Sequence, residues 1–176
     1  MKNYIEIGSC YFNTLHHLSS SLGWNGTIVE PIKKFIDKLP QTDNISYLNY
    51  AIDTERGTRD MYLFEDDICE NDRDYHGMSS LYHNHGDKQY RLQVNTITYK
   101  DLLYLTGYNE IELLKIDTEG HDLIILKEAL RKGNPIPNRI IVEHKHVDAV
   151  EMEEILSHFG YNITKDEENY YGRLGE

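Results

Sequence analysis

Ile111-Glu112-Leu113-Leu114-Lys115-Ile116-Asp117-Thr118-Glu119-Gly120-His121-Asp122 reads as a buried strand that ends in a cluster of ionisable groups. The segment through Ile116 is apolar except for Glu112 and Lys115. It is too short and too rich in branched residues for a helix, and it suits a central strand of a parallel sheet. Asp117, Glu119, His121 and Asp122 follow at once. Gly120 then separates strand from helix, and Leu123, Ile124, Leu126, Ala129 and Leu130 keep helical spacing until Gly133, Pro135 and Pro137 stop it. Ligands of open α/β sheets bind outside the carboxyl ends of the strands, so a charged cluster in that place is a candidate site.

The segments on either side repeat the pattern. Tyr4-Ile5-Glu6-Ile7 is a strand ending on Gly8-Ser9-Cys10, and Asn13 is placed to cap a helix with Leu15, Leu18 and Leu22 on one face and Gly23 as its close. Thr27-Ile28-Val29 is a second strand with Glu30 at its end. Pro31 is expected as the first residue of the next helix, whose buried stripe is Ile32, Phe35, Ile36 and Leu39. Residues 45–52 read as a third strand, so β-α-β-α-β alternation predicts a parallel sheet with right-handed crossovers. Residues 57–65 fit an extra strand. The stretch 66–88 is polar, acidic and histidine-bearing, longer than most connections, and is expected to be a mobile loop or lid within one domain spanning 1–176. Residues 90–97 form a strand, and Thr98 with Asp101 starts a helix that Gly107 ends. Residues 139–143 are a further parallel strand leading into Glu143-His144-Lys145-His146, and Asp148 with Glu151 opens a helix closed by Gly160. Residues 161–164 and 170–174 form a hairpin, placing an antiparallel pair at the edge of an otherwise parallel sheet.

Composition narrows the partners. The chain carries 18 basic and 30 acidic residues, a formal charge of −12, which argues against a surface that tracks nucleic-acid phosphates and for a small molecule or glycan. Two cysteines make no disulfide framework, and neither a signal segment nor a span of about 20 apolar residues is read, so a cytoplasmic protein is expected. A homo-oligomer is left open.

The turn after the first strand has no second glycine and is not the dinucleotide fingerprint. It retains an acid within the strand, a glycine that permits close backbone approach, and a helix start. Glu30 suits the two hydroxyls of a ribose, which a carboxylate accepts together. The bland readings stand beside these: Asp117 as a helix cap, His121 as an exposed first-turn residue, and Glu119 as a partner of the helix dipole. His76, His83, His85, His144 and His146 admit a rival reading as metal ligands of a hydrolase, but no Cys-x-x-Cys or His-Glu-x-x-His accompanies them, and no metal is expected.

The chain resembles the FkbM-type family of S-adenosylmethionine-dependent methyltransferases over nearly its whole length. Leu114-Lys115-Ile116-Asp117-Thr118-Glu119-Gly120 looks like the family's Leu-Lys-Ile-Asp-x-Glu-Gly signature. Glu6-Ile7-Gly8 matches its first cofactor motif, Val29-Glu30-Pro31 its ribose-binding acid, and Val142-Glu143-His144 the acidic end of its fifth strand. Ser9-Cys10 stands where the family commonly has Ala-Asn. The resemblance implies a Rossmann-like, doubly wound, mostly parallel seven-stranded sheet with an antiparallel C-terminal hairpin, the class I methyltransferase arrangement. It also implies S-adenosylmethionine as cofactor and methyl transfer to a hydroxyl, often on a sugar. Glu6, Gly8, Ser9, Cys10, Asn13, Glu30, Pro31, Ala51, Ile52 and Asp117 are the expected cofactor residues. The catalytic candidates are Asp117, His144, His121, Glu119 and Lys115, with His144 and His121 sharing the role of general base and Lys115 also a candidate ion-pair partner. Ser79, His83, Glu143 and His144 are expected to bind the acceptor. A cofactor-binding module without turnover is the other alternative.

Overall fold

A computed structural model describes residues 1–12, 14–63, 79–82 and 90–175. Strand β1 (Asn3–Ile7) leads to helix α1 (His16–Leu22), which Gly23 closes in the left-handed conformation, and then to β2 (Asn25–Val29). Leu15 and Leu18 are buried, but Leu22, expected on the same face, is exposed because the helix stops there. Asn13 lies outside the described residues. The short helix α2 (Lys33–Ile36) starts two residues later than Pro31 suggests. Glu30 explains the delay: its carboxylate accepts the Ile32 N–H at 2.8 Å and holds Ile32 extended as the residue before the helix.

The expected third strand divides into β3 (Ile45–Leu48) and β4 (Ala51–Ile52). Between them Asn49 Nδ2 donates to the carbonyls of Glu30 and Pro31 at 3.0 and 2.8 Å, which draws the chain off the ladder. Beyond β4 come β5 (Gly57–Leu63) and β6 (Tyr90–Ile97), then helix α3 (Tyr99–Thr106). The capping box at Thr98 and Asp101 and the left-handed Gly107 bound α3 as read from the sequence. Strand β7 (Leu113–Ile116), helix α4 (Asp122–Ala129), strand β8 (Arg139–Glu143), helix α5 (Ala149–His158), and strands β9 (Tyr161–Lys165) and β10 (Asn169–Leu174) complete the order.

The main sheet has seven strands in the order β3-β2-β1-β7-β8-β10-β9, all neighbours parallel except where β10 runs against β8 and β9. The reversed strand is thus second from the edge. Both faces are covered, as alternation along a strand requires: Ile5 and Ile7 pack with Tyr99, Leu102, Ile125, Leu126, Met152 and Leu156, while Tyr4 packs with Leu15, Leu18 and Trp24 on the other side. A second sheet, β4-β6-β5, was not foreseen as a separate layer; it contributes Ala51, Met61, Leu63 and Val94 to a cluster with Ile32 and Phe35. The chain winds outward from β1 in one direction through β2 and β3 and in the other through β7 and β8, which puts the topological switch point between β1 and β7.

Candidate active site at the switch point

Register sets the site. Ile7 is paired with Val29 on one side and with Ile116 on the other, so Gly8, Glu30 and Asp117 emerge side by side at the strand ends. Gly8 has φ +81°, and a Cβ there would lie 1.8 Å from the Asp117 carbonyl oxygen. The glycine therefore lets two strand ends touch, and its missing side chain points at backbone rather than into ligand space. Glu30 is 3% exposed, and its carboxylate accepts the N–H groups of Cys10 and Ile32, both at 2.8 Å. Those two bonds fix its plane and hold Cys10 at a positive φ of 48°.

A pocket enclosing about 540 Å³, part of it open to solvent, occupies this position. One wall is apolar, built from Ile32, Phe35, Ala51, Ile52, Met61 and Leu81; the other is polar, with Glu30, Asp117, Glu119 and His121. The β7–α4 turn carries three of those four. Both oxygens of the buried Asp122 accept backbone N–H groups, from Thr118 at 2.8 Å and Gly120 at 2.9 Å, and Ser80 Oγ donates to the Glu119 carbonyl at 2.7 Å. Pinned from both sides, Glu119 sits at φ +56°, a conformation that costs a non-glycine residue energy. Behind the turn, Lys115 Nζ bridges Asp117 at 3.0 Å and Glu6 at 3.6 Å. Burial disfavours its charge, yet the two carboxylates together hold its pKa above the ordinary value.

His121 is 6% exposed, with Nε2 3.3 Å from Asp53 Oδ1, outside straight hydrogen-bond alignment. Burial pushes its pKa down against the pull of Asp53, which favours the neutral ring. Asp53 accepts the Thr54 N–H and the Arg59 Nε–H, both at 2.7 Å; burial opposes its charge, but these bonds with the nearby His121 and Arg59 keep its pKa below the ordinary value. Three further groups converge from β7–α4 and β8. Burial, then Asp117 and Asp122, pushes Glu119 up to about 7. Burial, then Glu119, Asp117 and Asp122, pushes Glu143 up to about 8. His146 Nε2 lies 3.2 Å from Glu119 Oε2.

Of the residues expected from the sequence, Gly8, Cys10, Glu30, Pro31, Ala51, Ile52, Ser79, Asp117, Glu119 and His121 line the pocket. Ser9 and Lys115 line an adjoining hollow with Gly8 and Asp117, and Glu143 lines another with Asp117 and Glu119. Glu6 stands apart: fully buried under α1, it accepts from Thr14 Oγ1 and pairs with Lys115. His144 turns to the hairpin, Nε2 3.3 Å from the Asp166 carbonyl and its ring 4.7 Å from that of Tyr170, and it lines none of these hollows. Asn13, His76, His83 and His85 lie outside the described residues, as does the expected lid except for residues 79–82. Asp53 was missed. Its signal was present: an acid directly after the third strand, as Glu30 directly follows the second.

A mostly parallel seven-stranded sheet covered on both faces, with a pocket of one apolar and one acidic wall at its strand ends, defines a doubly wound α/β protein whose candidate site lies beside the switch point. Residues 4–163 match the family described as the methyltransferase FkbM domain, and the chain belongs to that family. No curated protein is a significant match. A solved structure entitled fibrillarin/Nop5p complex is similar over 97% of this chain and 70% of its own, at 15% identity and a TM-score of 0.47.

Proposed function

We propose that the protein transfers a methyl group from S-adenosylmethionine to a hydroxyl of a small molecule, in the first place a sugar or glycan. The observation that carries this reading, beside family membership, is the two-sided pocket at the switch point. Its apolar wall at Ile32, Phe35, Ala51 and Ile52 suits a flat adenine, and the oriented carboxylate of Glu30 suits the ribose hydroxyls because each of its oxygens can accept two hydrogen bonds. Asp117, held in place by Lys115, suits the amino group of the methionine end. When bound, S-adenosylmethionine supplies an electrophilic methyl group on a sulfonium.

The chain's own work is to place the acceptor and take its proton. A sugar hydroxyl is a weak acid and needs a base. His121 suits the requirement: burial favours its neutral form, it lines the pocket, and Asp53 lies 3.3 Å away to stabilise the imidazolium that forms. Asp53 acts through His121 and is a positioning residue. Asp117, Glu119 and Glu143 offer hydrogen-bond partners to neutral polyhydroxyl compounds, which supports a sugar. Incubation of the full chain with methyl-labelled donor and a panel of glycans and free sugars tests the reading. Label in a glycan, lost in His121→Asn, supports it; binding of the cofactor product with no label in any acceptor would favour a binding module without turnover.

A further inference from the structure

We propose that Glu119, Glu143 and His146 hold a divalent first-row transition-metal cation at the acceptor side of the pocket. One donor atom from each lies within 4.8 Å of the others, and the three come from separate segments: the β7–α4 turn, the end of β8, and the loop before α5. A bound ion with ligands at about 2.0–2.2 Å draws such donors to about 4 Å or less, a shift that the part-exposed side chain of His146 can absorb.

A second observation is independent of that convergence. Glu143 is 7% exposed, faces the hollow it shares with Glu119 and His146, and has an oxygen, Oε2, with no hydrogen-bond partner among the described residues. A buried carboxylate oxygen without a donor is costly, and a cation removes the cost. Nearby charges are already committed elsewhere. Asp122 uses both oxygens on backbone N–H groups, Asp117 takes Lys115, and Lys145 is bonded to Glu168 on the hairpin. Two carboxylates with an imidazole form a mixed donor set; the imidazole favours Mn²⁺, Fe²⁺ or Zn²⁺ over Mg²⁺ and Ca²⁺. Three protein ligands leave positions open for water or for neighbouring hydroxyl oxygens of the acceptor, and Glu119 and Asp117 line both this hollow and the main pocket. What the cation does there rests on the methyl-transfer reading; that it binds does not.

The test uses the full chain after chelator treatment and dialysis, titrated with Mn²⁺ alone while the electron paramagnetic resonance of free Mn²⁺ is followed. One saturable site per chain is expected, with affinity falling about 100-fold in Glu143→Gln and in His146→Ala. Both variants should keep the wild-type melting profile and the wild-type affinity for S-adenosylhomocysteine; if Glu143→Gln fails to fold, His146→Ala alone decides the site. Absence of saturable Mn²⁺ binding, or equal affinity in wild type and variants, overturns the site. The two readings separate cleanly: saturable binding without methyl transfer keeps the metal site and sinks the function, whereas methyl transfer by a protein that binds no Mn²⁺ does the reverse.

Discussion

Gly8 shows why a residue can be placed in a site by its sequence and yet serve it differently. Its position after β1 suggested a close backbone approach to a ligand, but a Cβ there would meet the Asp117 carbonyl at 1.8 Å, at a positive φ of 81°. Gly8→Ala should therefore destabilise the fold by at least about 1–3 kcal/mol in urea unfolding. It is a poor probe of the cofactor. His121 and Asp53 are better probes of chemistry. His121→Asn should lower turnover by about 10²–10⁴-fold while S-adenosylhomocysteine affinity holds. Asp53→Asn should lower kcat more than it raises KM and move the acidic limb of the pH profile to lower pH, since it removes the charge that raises the imidazole pKa. Unchanged turnover in His121→Asn would remove it as the base. The placement of Glu30 and Asp117 at the pocket was legible because each directly follows a parallel strand whose neighbour is β1. The choice between His144 and His146 was not, because alternation stops with the strand and the sequence does not say which ring turns towards the hairpin.

At the scale of elements, helix ends were the most readable feature, since capping is local chemistry. Thr98 and Asp101 exchange side-chain and backbone hydrogen bonds at the start of α3, and Arg56 Nε adds a bond to Asp101 at 2.8 Å. Thr98→Ala should cost about 1 kcal/mol in thermal or urea unfolding. Arg56 first, and then the bonds from Thr98, hold the Asp101 carboxyl well below its usual range despite its slight burial. A depressed folded-state pKa means that this contribution is complete above the unfolded value, about 3.9, and is lost as pH falls through the folded one. Acid titration of Asp101→Asn should accordingly show a smaller loss of stability below about pH 4 than the wild type. The division of the third strand was not legible. Residues 45–52 read as one strand, and it takes the Asn49 side chain reaching Glu30 and Pro31, 19 and 18 residues away, to break the ladder. Strand pairing between β4, β5 and β6 is equally non-local, so β4's departure to a second sheet left no periodic trace.

For the whole molecule, the winding order was legible because alternating strands and helices admit few right-handed arrangements, and the C-terminal hairpin identified the reversed pair. That order puts the pocket at the strand ends beside the switch point between β1 and β7. We propose that the pocket at the ends of β1 and β2 holds the methyl donor. Calorimetric titration of the full chain with S-adenosylhomocysteine, run beside Glu30→Gln, addresses it most directly. One-to-one binding is predicted for the wild type, weakened by about 1.5–3 kcal/mol in the variant, the worth of a hydrogen bond to a charged group. No binding by the wild type, or equal binding by Glu30→Gln, would place the methyl donor elsewhere or nowhere on this chain.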